Sequence, residues 1–410
     1  MTHSVFTPLT LPNGAILPNR LAKAAMEENM AASGCLPGND IIQLYKTWAA
    51  GGTGLLITGN VMVDQRAMTG PGGIALEANT DIAPFKKWVE AGRQNDTKMM
   101  MQINHPGRQV YAAMGGDVLS PSDIALDMGK HSNLFGKPSP MSEADITTLI
   151  ERFVITASRA VEAGFDGVQI HAAHGYLISQ FLSPLTNKRD DQWGGSLENR
   201  ARLLYDVIKA VKQAIPSHII ISVKLNSADF QRGGFDANDA LVVVKALGEL
   251  NVDLVELSGG SYESPAMQGN TADGHTLERE AYFLAFAKEI AKQATMPIMT
   301  TGGIVRLPVA QKVLDEGVDM VGIGRALAFS PALPNLWKIS PEAKAVLPNV
   351  TWKDKTLAAL ATMAITKRQL QRLGKGKAPK LNSSPFISLV ADQIRSKKLT
   401  KIYRQRYSKS

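Results

Sequence analysis

Eight short apolar runs, separated by longer stretches of helical periodicity, recur along the chain and restrict it more than any other feature does. The runs are Arg20–Ala25, Gly54–Gly59, Lys98–Ile103, Phe165–Ile170, Ile219–Leu225, Val252–Leu257, Pro297–Thr301 and Met320–Ile323. Several are nearly continuous in apolar residues, as parallel strands covered on both faces are. Between them lie the amphipathic segments Asp40–Ala50, Ile82–Asn95, Glu143–Ala163, Leu197–Ala214, Ala237–Leu250, Arg279–Gln293 and Val309–Glu316, and Gly51, Gly164 and Gly317 supply helix stops. This order predicts an α/β chain folded as a single (β/α)8 TIM barrel. A doubly wound sheet would carry a glycine-rich fingerprint after its first strand. Here Met26-Glu27-Glu28-Asn29 stands in that place. The expected division is a barrel over residues 1–340 and a basic C-terminal extension, helical in part, over 341–410.

The net charge of +8 is uneven. From Thr366 to Ser410 there are thirteen Lys and Arg against one acid, Asp392, leaving 32 basic and 36 acidic residues elsewhere. The basic character therefore belongs to the tail, whose commoner meaning is a solvated surface or a subunit contact. A homo-oligomer is compatible with it. No nucleic-acid-reading motif accompanies the charge, so nucleic acid is not an expected partner. The one cysteine, Cys35, excludes a disulfide framework, a four-thiolate zinc site and a cysteine-ligated iron–sulfur cluster. No apolar run reaches the ~18 residues of a membrane span, and Met1–Asn13 has no signal-peptide pattern. A cytoplasmic protein is the expectation.

In a barrel of this kind chemistry collects at the C-terminal ends of the strands. The fourth run delivers three polar rings within six residues, His171, His174 and Tyr176. Two imidazoles can donate to a developing oxyanion, and a phenol can supply a proton. On spacing alone a metal pair or three satisfied core rings remain open. The seventh and eighth runs end in Gly302-Gly303 and Gly322-Ile323-Gly324-Arg325. Glycines there let backbone N–H groups approach phosphate oxygens, and the arginine can add a charge-assisted contact. Gln102 can pair with a flat heterocycle, and Lys224 is a strand-end cation that needs an anion nearby, a bound one or a neighbour such as Asp229. Asn29, Asn60 and the Met114–Phe135 loop, with His131, are candidates for shaping a substrate pocket or lid.

Several motifs together resemble the old yellow enzyme family of FMN-dependent NADH:flavin oxidoreductases, in its bacterial branch with two histidines. They are Leu17-Pro18-Asn19-Arg20, Gln102 with His105-Pro106-Gly107-Arg108, His171-Ala172-Ala173-His174-Gly175-Tyr176, Phe181-Leu182-Ser183-Pro184, Trp193-Gly194-Gly195-Ser196-Leu197-Glu198-Asn199-Arg200 and Gly322-Ile323-Gly324-Arg325. The resemblance covers about Phe6 to Trp337. It implies non-covalent FMN, reduced by NADH or NADPH, which passes hydride to the β-carbon of an α,β-unsaturated substrate. His171 and His174 would bind the substrate carbonyl oxygen, with Asn29 also at the substrate, and Tyr176 would protonate the α-carbon. Ala24, Ala25, Met26, Glu27 and Asn60, with Gln102 and Lys224, would hold the isoalloxazine; Gly302, Gly303, Gly324 and Arg325 would hold the phosphate.

Three positions depart from the family pattern. Lys224 stands where the family usually has arginine, which keeps the charge and loses the bidentate fork. Glu27 stands where relatives carry a threonine or cysteine. Ionised and facing the flavin, it would disfavour the electron-rich form and lower the potential. The segment Ala343–Ser410 has no counterpart in the short members. Two other functions fit a flavin barrel: oxidation in the manner of dihydroorotate dehydrogenases, which calls for a cysteine or serine base in the loop where the three rings stand, and FMN binding without catalysis, with an interaction role through the basic tail.

Overall fold

The protein is seen here in a computed structural model that describes residues 4–268 and 280–407. Among the described residues eight parallel strands close a barrel: β1 Leu21–Lys23, β2 Leu55–Ile57, β3 Lys98–Asn104, β4 Gly167–Ala172, β5 Ile220–Asn226, β6 Leu254–Ser258, β7 Ile298–Thr300 and β8 Met320–Ile323. Each pairs in parallel with its neighbours, and β8 returns to β1 through Val321–Leu21 and Ile323–Lys23. A two-residue strand, Val61–Met62, adds to the far end of β3 at Ile103 and Asn104.

Alternation along the strands sorts the side chains into two environments. The outward set (Leu21, Leu56, Met99, Met101, Val168, Ile170, Val223, Val255) packs under the surrounding helices in the main core. The inward set begins as an apolar plug of Ala22, Leu55, Ile57, Met100, Ile220, Leu254, Met299 and Met320. Leu9, Leu11 and Leu17 of an N-terminal hairpin (Leu9–Thr10 with Ile16–Leu17) join that plug. That hairpin stops the end where the strands begin, since Asn13 donates to the carbonyl of His218, just ahead of β5. Further along the same inner faces the residues become polar, so chemistry is confined to the other end.

Side-chain caps set several of the helices. Helix α1 is Asn39–Ala49 and α2 is Ala83–Gly92. Helix α3, Glu143–Ala163, opens on a reciprocal capping box between Ser142 and Asp145 and closes on Gly164 at φ 99°. Helix α4 is Leu177–Leu182; α5, Leu197–Ala214, is capped by Ser196 and α6, Ala237–Glu249, by Asp236. Such caps contribute about 1 kcal/mol each. Helices α7 Leu284–Ala291 and α8 Leu307–Asp315 complete the ring, and Arg279, the expected start of the segment before β7, lies outside the described residues.

Strand ends differ from expectation because pairing, not apolarity, sets them. The fourth run shifts from Phe165–Ile170 to Gly167–Ala172, since the N–H of Phe165 closes the preceding turn on the carbonyl of Ala160. His171 therefore lies inside the strand rather than beyond it.

After α9 Ala326–Phe329 and α10 Leu333–Ile339, the extension forms α11 Lys355–Gly374, packed on α1, and α12 Pro385–Tyr407, packed on α11. Helix α12 reaches the barrel mouth. Arg395 donates to the carbonyl of Asn29 at 3.1 Å, and the Tyr403 hydroxyl to that of Gln65 at 2.8 Å. Among the described residues no helix is long and apolar enough to cross a membrane.

Candidate active site

The end of β4 turns sharply back over the barrel. His174 and Gly175 both take left-handed backbone conformations, φ 61° and 72°. For a histidine this costs of order 1 kcal/mol or more, so neighbours must hold it. Asn226 of β5 accepts the His174 N–H at 3.0 Å, and Gln109 donates to the His174 carbonyl at 3.0 Å. Tyr176 then sits at the N-cap of α4, whose Gln180 ties the turn to the loop after β3 through the carbonyls of Gly175 and Pro106.

This turn brings the three rings together. His171 lies edge-on to His174 at 5.1 Å and to Tyr176 at 4.9 Å between centroids. The Nδ1 of His171 accepts the Ala173 N–H at 3.2 Å, so the proton of the neutral ring is on Nε2. His174 Nε2 is 2.7 Å from the Ser258 hydroxyl at the end of β6. Exclusion from water holds both imidazoles well below the usual range, with Lys224 adding repulsion and His174 acting likewise on His171. They are neutral hydrogen-bonding groups at pH 7. Burial, and then the Glu27 carboxylate, push the Tyr176 phenol up. It is a protonated group that can give its proton only to a strongly basic centre.

A residue that sequence reasoning did not single out completes the cluster. Tyr262, from the loop after β6, has its hydroxyl 3.2 Å from that of Tyr176. Its ring meets Phe135 at 5.9 Å, and Phe135 stacks on Tyr111 at 4.9 Å. The Met114–Phe135 loop thus contributes Phe135 to the aromatic rim, while His131 lies elsewhere in that loop, within the 3-10 turn Gly129–Leu134.

Opposite stand the residues that follow β1. Glu27 accepts a hydrogen bond from the Thr69 hydroxyl. Glu27, Asn29 and the Tyr111 ring surround Gly70, where an added Cβ would lie 3.8, 3.7 and 4.0 Å from them. Ala24 is tied to β8 through the carbonyl of Ile323. Ala25 and Met26 are half-buried beside it, and Asn60 is half-buried just past β2.

Beneath the rings the inward side chains of four strands form a polar layer. Gln102 of β3 donates to the Gln169 carbonyl oxygen of β4 at 2.8 Å. Gln169 in turn donates to Glu256 of β6 at 3.0 Å and to the Ser222 hydroxyl of β5 at 3.3 Å. Glu256, fully buried, is ion-paired with Lys224 at 2.8 Å. The anion beside Lys224 is therefore Glu256, its register partner on the adjacent strand. Asp229, the sequence neighbour, instead accepts from Asn226 and from the N–H of Phe235.

This layer suits a polar heterocycle. Both amide atoms of Asn104, on the same face of β3 as Gln102, and the Oδ1 of Asn29 are buried without a protein partner among the described residues. At the β8 end, a Cβ on Gly324 would meet nothing within 4 Å, leaving room beside the half-buried Arg325. Gly302 and Gly303 have φ of 119° and 72°, and the Tyr282 ring lies against both. Among the described residues no three His, Cys, Asp or Glu converge as metal ligands.

Comparison with known proteins bears on the same span. The sequence pattern of the NADH:flavin oxidoreductase / NADH oxidase family matches residues 4–340. The chain is 38% identical over 361 residues to the NADH-dependent flavin oxidoreductase iliE of Hypocrea jecorina, covering 82% of this chain and 89% of that protein. It is 32% identical over 334 residues to the NADPH dehydrogenase of Bacillus subtilis, covering 81% and 93%. In fold it resembles the old yellow enzyme homologue from Zymomonas mobilis, with a TM-score of 0.72 and 24% identity, over 84% of this chain and 95% of that one.

Proposed function

The chain belongs to the NADH:flavin oxidoreductase / NADH oxidase family and is an FMN-dependent NAD(P)H oxidoreductase of old yellow enzyme type, and on that premise we propose that it reduces activated alkenes such as enones. The observation that carries this reading is the cluster of His171, His174 and Tyr176, with centroid separations of 4.9–5.1 Å, above the polar layer of the barrel. When bound, FMN supplies the redox step, accepting hydride from NAD(P)H and passing it to the β-carbon of the alkene.

The chain's own residues handle binding, charge and the proton. His171 presents its Nε2–H to the substrate carbonyl oxygen. With Ser258 donating to His174 Nε2, the Nδ1 of that ring keeps its proton and becomes the second donor. Neutral donors are suited to this, because they stabilise negative charge as it develops on oxygen without surrendering a proton to it. Tyr176 protonates the α-carbon, because only a carbanion-like centre is basic enough to take a proton from so buried a phenol. Tyr262 and Asn29 flank the substrate.

For the cofactor, Ala24, Ala25, Met26, Glu27 and Asn60, with Gln102 and Lys224, would hold the ring system. Gly302, Gly303, Gly324 and Arg325 would hold the phosphate. Residues 1–340 form the catalytic barrel and 341–410 the extension that buttresses its mouth.

Anaerobic mixing tests the assignment. NAD(P)H bleaches the flavin absorbance of the purified protein, and cyclohexenone restores it within the steady-state turnover time. A flavin bleached by NAD(P)H and indifferent to enones of every size would refute the alkene-reductase reading.

A further inference from the structure

Gln102, Gln169, Glu256 and Lys224 come from four consecutive strands; the hydrogen bonds from Gln102 through Gln169 to Glu256 run in one direction only, and Lys224 joins them by an ion pair. A carboxylate ion-paired to an ammonium group accepts and does not donate. Glu256 Oε1 is 2.8 Å from Lys224 Nζ, and its Oε2 takes the Gln169 amide N–H at 3.0 Å. Gln169 must therefore turn its carbonyl oxygen to Gln102, which fills that acceptor with its own Nε2–H at 2.8 Å. The Gln102 carbonyl oxygen is what remains for a ligand at the mouth. Among the described residues, Lys224 has this one carboxylate partner and no hydrogen-bonded carbonyl or hydroxyl, so its remaining N–H groups can also serve a ligand. One buried carboxylate thus fixes both the amide orientation and the net charge of the layer.

We propose that Glu256 is a positioning residue that sets the redox balance of the bound flavin. By offsetting the charge of Lys224 it withholds stabilisation from the anionic reduced flavin and lowers the potential. Through Gln169 it keeps the Gln102 carbonyl oxygen toward the flavin. The inference rests on the proposed placement of the isoalloxazine over Gln102 and Lys224. It explains why a lysine needs a carboxylate in this layer: the side chain is paired and in place before the cofactor arrives, at the cost of some pull on the reduced form.

The test measures the two-electron potential of the bound flavin in holoenzyme reconstituted with FMN, alongside the dissociation constants of oxidised and reduced FMN. Lys224→Gln lowers the potential. Glu256→Gln raises it, tightening reduced relative to oxidised FMN roughly tenfold, which is about 30 mV for a two-electron couple. The double variant Lys224→Gln/Glu256→Gln, which replaces both charges at nearly constant volume, lies above Lys224→Gln alone by a similar amount. That comparison stands even where Glu256→Gln alone fails to fold. If Lys224→Gln leaves the potential unmoved, the flavin lies elsewhere, and the proposed cofactor placement falls together with the inference. If Lys224→Gln lowers the potential while Glu256→Gln leaves it unchanged or lowers it, or the double variant matches Lys224→Gln, the placement stands and the role of Glu256 is refuted.

Discussion

Among the described residues two lysine–glutamate pairs are buried in this barrel, one on each side of its wall. Lys23 of β1 points outward under α1. Its ammonium reaches Glu28 at 3.3 Å, the Tyr45 hydroxyl at 3.0 Å and the carbonyl of Ile57 at 2.8 Å. It also lies over the rings of Tyr45 and Trp48 at 4.9 and 4.6 Å. Every N–H it has is used, and Glu28 is further tied by the N–H of Gly59. Burial draws the Lys23 pKa down to about 8 against the pull of Glu28. Lys224 points inward, toward the mouth, with one carboxylate and capacity left over. Both lysines are buried beside a carboxylate; what differs is that Lys23 is hydrogen-bonded to saturation and Lys224 is not. A saturated pair fixes structure, whereas an unsaturated one on the inner face keeps donors for a ligand.

Removing the carboxylate on the closed side strands a charge that cannot reach water. Glu28→Ala is expected to cost about 3–5 kcal/mol in a denaturant titration, while holoenzyme that still folds keeps its flavin potential. A potential shift as large as that of Lys224→Gln would erase the distinction between the pairs.

Imidazoles offer the same contrast through pH. His105 is buried, its Nδ1 takes the Gly107 N–H at 3.1 Å, and burial lowers its pKa to about 4 from 6.5. The unfolded chain binds that proton first, so stability is full above pH 6.5 and is lost as pH falls toward 4, by about 3 kcal/mol from His105 alone. His171 and His174 are depressed in the same direction and add to the loss. Urea midpoints across this range should fall with pH, and a His105→Phe variant that folds should show a shallower fall.

Smaller effects separate substrate groups from cofactor groups. Ser258→Ala removes the hydroxyl 2.7 Å from His174. It is expected to cost about 1 kcal/mol, roughly fivefold in the rate at which an enone reoxidises the flavin, with no change in potential. Glu27 is half-exposed and already accepts from Thr69, so solvent screens its charge. Glu27→Thr is expected to raise the potential by less than Glu256→Gln does, a few-fold in relative FMN binding. An unchanged potential would show that Glu27 faces away from the flavin.

The sequence carries the parts that come from one continuous stretch. The three rings are spaced within six residues, and the helices Glu143–Ala163 and Leu197–Ala214 are bounded by their capping serines and by the apolar runs on either side. The polar layer is hidden because four strands give it one or two residues each. Gln102 and Lys224 can be suspected from their strand positions. Glu256 is found only by pairing Lys224 with its register neighbour, whereas proximity along the chain points to Asp229 instead. One available signal is the alternation of Leu254, Glu256 and Ser258 in an otherwise apolar strand. Tyr262 gives no signal, because its loop is placed by contacts with distant aromatic residues. In α12, Phe386 and Ile394 lie outward at 67% and 65% exposure while Tyr403 is buried. The helix therefore has no single apolar stripe for a periodicity to detect.

The proposed mechanism divides the labour: the rings act on the substrate and the barrel layer acts on the flavin. Stopped-flow measurement of both half-reactions in Tyr176→Phe addresses it directly. Reoxidation of the reduced enzyme by an enone should slow by about 10²–10⁴-fold, while reduction by NAD(P)H proceeds at the wild-type rate. Equal slowing of both halves, or of neither, would contradict it.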